Sequence, residues 1–99
     1  MLDFPITIKN AADFRRAPAK VESCCRRLGL MLGMKTRLAK HPGSTHWHYK
    51  QPKQSGTLEI SVLPSQRRVW ITVQDGRRAE WITEMMPTLT RELEQAFNG

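Results

Sequence analysis

The chain has 99 residues, of which 39% are hydrophobic, and its formal net charge is +7. This length suffices for one domain with an apolar core that needs no metal or disulfide staple, and it leaves no room for a second domain. No segment approaches the roughly 20 apolar residues of a membrane-spanning helix, and the N-terminus lacks the basic start and apolar run of a signal peptide. The sequence therefore predicts a single small basic domain, 1–99, that is soluble and cytoplasmic.

The positive charge is concentrated in the first half of the chain. Residues 1–50 contain ten lysines and arginines against three acidic residues, whereas residues 51–99 contain six of each. A polyanionic partner would explain this excess, with nucleic acid considered first and a membrane surface second. A solvated face that keeps a small protein soluble would explain it equally well.

The N-terminal segment carries a short strand pattern. Phe4, Ile6 and Ile8 alternate around Pro5, and proline in a sheet is confined to edge strands, strand starts and bulges. We therefore expect this segment to add one strand at the edge of a sheet.

A first amphipathic helix is predicted after this segment. N-cap candidates precede Pro18, and proline is favoured in a first helical turn. The helix end is placed between Leu28 and Lys40, because Gly29 and Gly33 both weaken the helix. Apolar residues recur at helical spacing on one face, and most basic residues lie off that face. These apolar residues are Val21, Cys24, Cys25, Leu28, Met31 and Leu32.

The sulfur-containing residues of this region have a structural and a functional interpretation. Cys24 and Cys25 are adjacent, and neighbouring residues point in directions too different for an easy mutual disulfide. We predict reduced thiols, at least one of them buried, with a redox pair as the alternative. Met31 and Met34 are interpreted as core residues rather than as metal or cofactor ligands.

Three strands are predicted in the second half of the chain, over 46–50, 57–63 and 68–74. Apolar and polar residues alternate with the period of two that half-buried strands show. The connections are too short for helical crossovers, so the strands form an antiparallel meander. If Trp47 faces the core, one sheet face carries polar residues and a second tryptophan. This face holds His46, His48, Lys50, Glu59, Ser61, Arg68, Trp70, Thr72 and Gln74.

A second amphipathic helix is predicted at the C-terminal end, from Ile82 to Phe97. Pro87 interrupts its hydrogen-bond ladder, so a kink or a restart is expected there. The chain is thus predicted to be an α+β domain in the order (β)-α-β-β-β-α. A meander of three strands, or four with the N-terminal one, packs against two helices.

The three histidines lie close together in the sequence, and two of them share a strand face. His46 and His48 resemble half of a metal site, but a tetrahedral zinc site requires three or four ligands. Glu59 and the two cysteines are the evident further donors. We favour ordinary sheet-surface or hydrogen-bonded histidines, and no metal or other cofactor is predicted. No phosphate loop, carboxylate pair or nucleophile motif occurs, so a non-enzymatic protein is predicted.

The order of a helix, three strands and a second helix resembles that of double-stranded-RNA-binding domains. Arg77 and Arg78 are expected to open the second helix, where those domains contact phosphates. The lysine-rich signature of the family is echoed only by Gly76-Arg-Arg-Ala79, and Glu80 departs from it. The resemblance is one of topology, and it places RNA slightly ahead of DNA.

The predicted function is that of a non-enzymatic nucleic-acid-binding module. The alternative is a protein-interaction or dimerisation module that uses the Trp70 face or an open sheet edge. A third hypothesis is a metal-binding protein that uses His46 and His48. The predicted phosphate contacts are Arg26, Arg27, Lys35, Arg37, Lys50, Arg67, Arg68, Arg77 and Arg78, with Trp70 as a stacking surface for bases.

Overall fold

The protein is an α+β fold in which two helices cover one face of a five-stranded antiparallel sheet; a computed structural model describes all 99 residues. The strands are β1 (Leu2–Pro5), β2 (Met31–Thr36), β3 (Thr45–Lys50), β4 (Leu58–Leu63) and β5 (Arg68–Val73). The helices are α1 (Ala17–Arg27) and α2 (Glu80–Asn98), and short 3-10 turns span Pro64–Gln66 and Asp75–Arg77. The spatial strand order β1-β5-β4-β3-β2 places β1 and β2 at the two edges.

The predicted antiparallel meander is confirmed as β3, β4 and β5. Trp47, Ile60 and Ile71 lie side by side across the three strands and are fully buried beneath the helices. Alternation therefore identified both the strands and their inner face. The predicted edge strand at the N-terminus is confirmed, but it spans Leu2–Pro5, so Ile6 and Ile8 of the predicted pattern lie beyond its end. It pairs with β5 at the sheet edge, the position that its Pro5 suits.

The strand β2 was not predicted, and the sheet has five strands instead of three or four. Helix α1 ends at Arg27, and Gly29 follows with a φ of +75°, which terminates the helix. The chain then pairs with β3 through a β-bulge at Gly33. Met31 and Met34 are 53% and 44% exposed, so their assignment to the core is wrong.

The core is formed by the inner face of the sheet and one face of each helix. The α1 residues in it include Val21, Cys24 and Cys25, and both cysteines are buried free thiols. Burial raises the pKa of the Cys25 thiol to about 12, so this group is protonated and unreactive at neutral pH.

Helix α2 runs through Pro87 as one helix, so the alternative of a restart is not observed. Ile82, Leu89, Leu93 and Phe97 are all buried on the same side of the helix. This continuous apolar contact compensates for the backbone hydrogen bond that proline removes. Neither helix combines the length and apolar character that a membrane span requires.

Candidate functional site

Four of the nine predicted phosphate contacts lie beside an acidic group, which reduces their availability for phosphate. Arg77 and Arg78 also precede helix α2, which begins at Glu80, so the expectation that they open it is wrong. The four pairs are Arg27 with Glu92 (3.8 Å), Lys35 with Glu22 (2.7 Å), Arg77 with Glu59 (3.8 Å) and Arg78 with Asp75 (3.3 Å).

Arg67 holds the N-terminal segment against the rest of the domain. Its Nη2 donates hydrogen bonds to the backbone carbonyls of Lys9, Asn10 and Ala12 at 3.0–3.2 Å, and its guanidinium lies 5.2 Å from the Phe14 ring centroid. The Arg67 guanidinium therefore makes its contacts within the fold.

Trp70 is buried, with 7% of its surface exposed, so the expected exposed stacking platform is wrong. The Arg68 guanidinium lies 4.5 Å from its ring centroid, and the His41 ring contacts it edge-on at 5.7 Å. His41 belongs to the segment 37–44, which folds over this part of the sheet. Trp70 therefore packs beneath the long side chain of Arg68 within the fold.

Three predicted contacts, Arg26, Arg37 and Lys50, are exposed and form no salt bridge. Arg26 lies in the last turn of α1, Arg37 directly follows β2, and Lys50 ends β3 opposite Met31 at the start of β2. All three therefore lie around strand β2, at its two ends.

Strand β2 itself is an open edge. All six of its residues are exposed, among them Met31, Leu32 and Met34. It pairs with β3 on one side only, so its outer backbone N–H and C=O groups face no other strand. This edge combines unpaired backbone, apolar side chains and neighbouring positive charge. We call it the β2 edge, with Arg26, Arg37 and Lys50 as its basic residues.

The ion pair between Lys35 and Glu22 gives a pH-dependent prediction. Glu22 accepts hydrogen bonds from Lys35 Nζ at 2.7 Å and from Trp47 Nε1 at 2.9 Å. The Lys35 hydrogen bond is the main reason that the pKa of Glu22 lies below its ordinary value of 4.5. The pKa of Glu22 is lower in the folded protein than in the unfolded chain. The ionised carboxylate therefore stabilises the fold fully above its ordinary pKa, and this stabilisation is lost as the pH falls through the folded-state pKa.

We expect Glu22→Gln to lower the free energy of unfolding by about 0.5–1 kcal/mol at pH 7 and by close to nothing in acid, where Glu22 is protonated. Urea unfolding at pH 7 and at low pH measures this difference. Glu84→Gln, at an exposed position without an ion pair, is the control. An equal loss for Glu22→Gln at both pH values would show that the charge of Glu22 contributes nothing.

A histidine–glutamate cluster occupies the sheet face that points away from the helices. In the strand register His48 lies opposite Glu59, and His46 lies two residues from His48, so all three side chains project from the same face. His46 Nε2 is 3.0 Å from Glu59 Oε1 and 3.2 Å from His48 Nε2, and His48 Nε2 is 3.7 Å from Glu59 Oε1. The same-face prediction is thus confirmed, and Glu59 is the third member.

The groups around this cluster orient it and set its charge. Ser61 Oγ lies 2.6 Å from His46 Nδ1, on the opposite side of the ring from Glu59. Arg77 Nη1 lies 3.4 Å from His48 Nδ1 and 3.8 Å from Glu59 Oε2. Burial lowers the pKa of His48, which favours its neutral ring at pH 7.

The cluster opens into a cavity of about 420 Å³ beneath the segment 37–44. His46, Glu59 and Trp70 line it from the sheet, and His41 lines it from the segment. Neither Arg77 nor the covering segment was placed at this site by the sequence. Strand alternation assigns residues to a face, but it says nothing of loops that return to that face.

Comparison with known proteins assigns no function to these surfaces. No protein-family model matches the sequence, and no curated protein or solved structure matches it either. We therefore infer function from the geometry of the chain itself.

Proposed function

We propose that the chain is a non-enzymatic nucleic-acid-binding module that contacts phosphates along the β2 edge. The supporting observation is that Arg26, Arg37 and Lys50 are exposed, form no salt bridge and lie around one open strand. Arginine and lysine in this state neutralise phosphates and release counterions. The net charge of +7 favours approach of a polyanion from a distance.

RNA is proposed ahead of DNA, and single strands ahead of duplexes. Met31, Leu32 and Met34 lie between the basic residues of the β2 edge and are exposed. They offer an apolar surface to unpaired bases, which a duplex keeps stacked inside. Arg67, Arg68 and Trp70 are not part of this proposed surface, because they contact other parts of the fold.

The test is fluorescence anisotropy with labelled single-stranded RNA, duplex RNA and duplex DNA, each at several salt concentrations. We expect the double variant Arg37→Gln/Lys50→Gln to bind about tenfold more weakly than the unaltered protein at low salt. Each lost contact should also reduce the slope of log affinity against log salt by about 0.7 on single strands.

The matched control is Lys9→Gln/Arg91→Gln, which removes the same charge from exposed positions outside the β2 edge. It should retain most of the affinity and the salt slope. Equal losses in the two double variants would show that binding is not localised at this edge. Absence of binding at low salt would reject nucleic-acid binding altogether.

A protein partner that adds a strand to the β2 edge is the second candidate. It is favoured by the exposure of Met31, Leu32 and Met34 on an edge without a pairing strand. Thr36→Lys, at another exposed position of β2, separates the two candidates, because a lysine on an edge strand opposes strand addition while it adds a charge for phosphate. Weaker self-association or partner binding would support strand addition, and tighter RNA binding would support the first candidate.

A further inference from the structure

We propose that His46, His48 and Glu59 form a binding site for one divalent transition-metal ion, of which Zn²⁺ fits best. The site lies on the sheet face that points away from the helices, and it is independent of the β2 edge. Two imidazoles and one carboxylate are the donors that zinc, copper and nickel sites use, whereas Mg²⁺ and Ca²⁺ prefer oxygen alone.

The spacing of the three donor atoms matches one face of a zinc tetrahedron. His46 Nε2, His48 Nε2 and Glu59 Oε1 are separated by 3.0, 3.2 and 3.7 Å. Ligand atoms bound to zinc at about 2.0–2.1 Å with tetrahedral angles lie about 3.3 Å apart. The point equidistant from the three atoms in their plane is about 1.9 Å from each, so an ion slightly outside this plane reaches ordinary bond lengths.

The burial of Glu59 is a second observation that points to a cation. Glu59 is 4% exposed, and a buried carboxylate requires charge compensation or several hydrogen bonds. Its Oε1 has one hydrogen-bond partner, His46 Nε2, and the Arg77 guanidinium is 3.8 Å from Oε2, beyond hydrogen-bond distance. Arg77 compensates this charge only from 3.8 Å, and a divalent ion at Oε1 would compensate it by direct contact.

Ser61 is placed to orient one of the ligands. A metal-binding histidine usually donates a hydrogen bond from its other ring nitrogen, which fixes the tautomer and the ring orientation. Ser61 Oγ is 2.6 Å from His46 Nδ1, so the tautomer with the proton on Nδ1 directs the Nε2 lone pair at the ion. Ser61 is 1% exposed and therefore fixed in place.

The site supplies three protein ligands and leaves the fourth position to water or to a bound molecule. His46 and Glu59 line the cavity of about 420 Å³, so an ion held by them remains accessible from this side. Arg77 is the nearest group that disfavours a cation here, because its positive charge lies beside both Glu59 and His48. It is therefore the residue whose removal should strengthen metal binding.

The test is isothermal titration of the metal-free protein with Zn²⁺, and with Mg²⁺ for comparison. We expect one Zn²⁺ per chain, a rise in melting temperature, and no response to Mg²⁺. Substitution by Co²⁺ should give the visible absorption of a four-coordinate ion with nitrogen ligands. No heat, no thermal shift and no cobalt spectrum would overturn the proposal.

Variants locate the site within the chain. His48→Gln and Glu59→Gln should each weaken Zn²⁺ binding by at least about 100-fold, because each removes a direct ligand. Arg77→Gln should tighten it about fivefold, since it removes a nearby like charge in a partly solvated site. The matched control is Glu84→Gln, which removes a carboxylate from an exposed position on helix α2, away from the cluster and its cavity, and should leave the affinity unchanged.

The affinities of the variants can also contradict the proposed metal site. Equal affinities for His48→Gln and Glu84→Gln would place the bound metal elsewhere and overturn the assignment. Circular dichroism establishes whether each variant is folded. If Glu59→Gln does not fold, Arg77→Gln still decides, because a folded protein that binds Zn²⁺ no more tightly without this charge contradicts the proposed position.

Discussion

Replacing Gly56 with alanine should reduce the free energy of unfolding by about 2–4 kcal/mol, through backbone strain and a steric clash. Gly56 has a φ of +99°, which side-chain-bearing residues rarely adopt. A Cβ atom added there would lie 2.6 Å from the Cβ of Ala79 and 3.1 Å from the carbonyl oxygen of Arg77. These are atoms close to or within the backbone, so they cannot turn aside as the end of a long side chain can.

Urea unfolding measures this effect, and Gly43→Ala is the matched control. Gly43 also has a positive φ, of +84°, but a Cβ atom there would meet nothing within 4 Å. We expect the control to cost about 1 kcal/mol, from strain alone. Equal losses in the two variants would mean that the loop around Gly56 moves away and that the close contact has no energetic weight.

The close contact at Gly56 also positions Arg77 beside the proposed metal site. The Thr57 N–H donates to the carbonyl of Arg77 at 3.1 Å, directly beside Gly56. The loop between β3 and β4 is thereby held against the segment that carries Arg77. A variant that opens this contact should therefore release Arg77 from His48 and Glu59 as well as lower stability.

Phe97→Ala should cost about 3–5 kcal/mol, because it truncates one of the largest fully buried side chains. Phe97 is 1% exposed, and its ring centroid lies 5.1 Å from that of Phe14 and 5.4 Å from Lys20 Nζ. Its backbone carbonyl accepts a hydrogen bond from the Asp13 N–H at 2.9 Å. Truncation leaves a cavity where the end of α2 meets the segment that leads into α1.

Thermal and urea unfolding of Phe97→Ala and Phe4→Ala together test this burial. Phe4 is also a phenylalanine, but it is 38% exposed in edge strand β1, so we expect its truncation to cost about 1 kcal/mol or less. In a domain of this size, 1 kcal/mol changes the melting temperature by about 4–8 °C. Similar shifts for the two variants would contradict the packing around Phe97.

The predictable part of the fold is the part in which apolar residues at every second position mark the face that packs on the helices. Strands β3, β4 and β5 alternate because one face meets the helices, and Pro5 indicated an edge strand. Strand β2 has no such pattern, since Met31, Leu32 and Met34 are apolar and all exposed at an edge. Methionine and leucine also favour helices. Pairing with β3, a contact distant in sequence, decides the conformation of this segment.

The candidate sites were likewise predictable only where strand alternation assigns a side chain to a face. Alternation placed His46, His48 and Glu59 on one face, but it gave neither their separations nor their burial. Trp70 was placed on the correct face, and its burial could not be predicted because the segment 37–44 that covers it has only a loop composition. Ion pairing of Lys35 and Arg77 likewise depends on tertiary contacts that leave no periodic signal in the sequence.

The β-bulge at Gly33 makes the outer edge of β2 an irregular template for a further strand. The bulge divides the outer hydrogen-bonding groups of β2 into two short runs that differ in register, Met31–Leu32 and Met34–Thr36. A regular strand from another molecule can match one run but not both. A short or irregular strand can therefore pair with part of this apolar edge. A long regular strand from another copy cannot pair along its whole length, which opposes extension of the sheet from molecule to molecule.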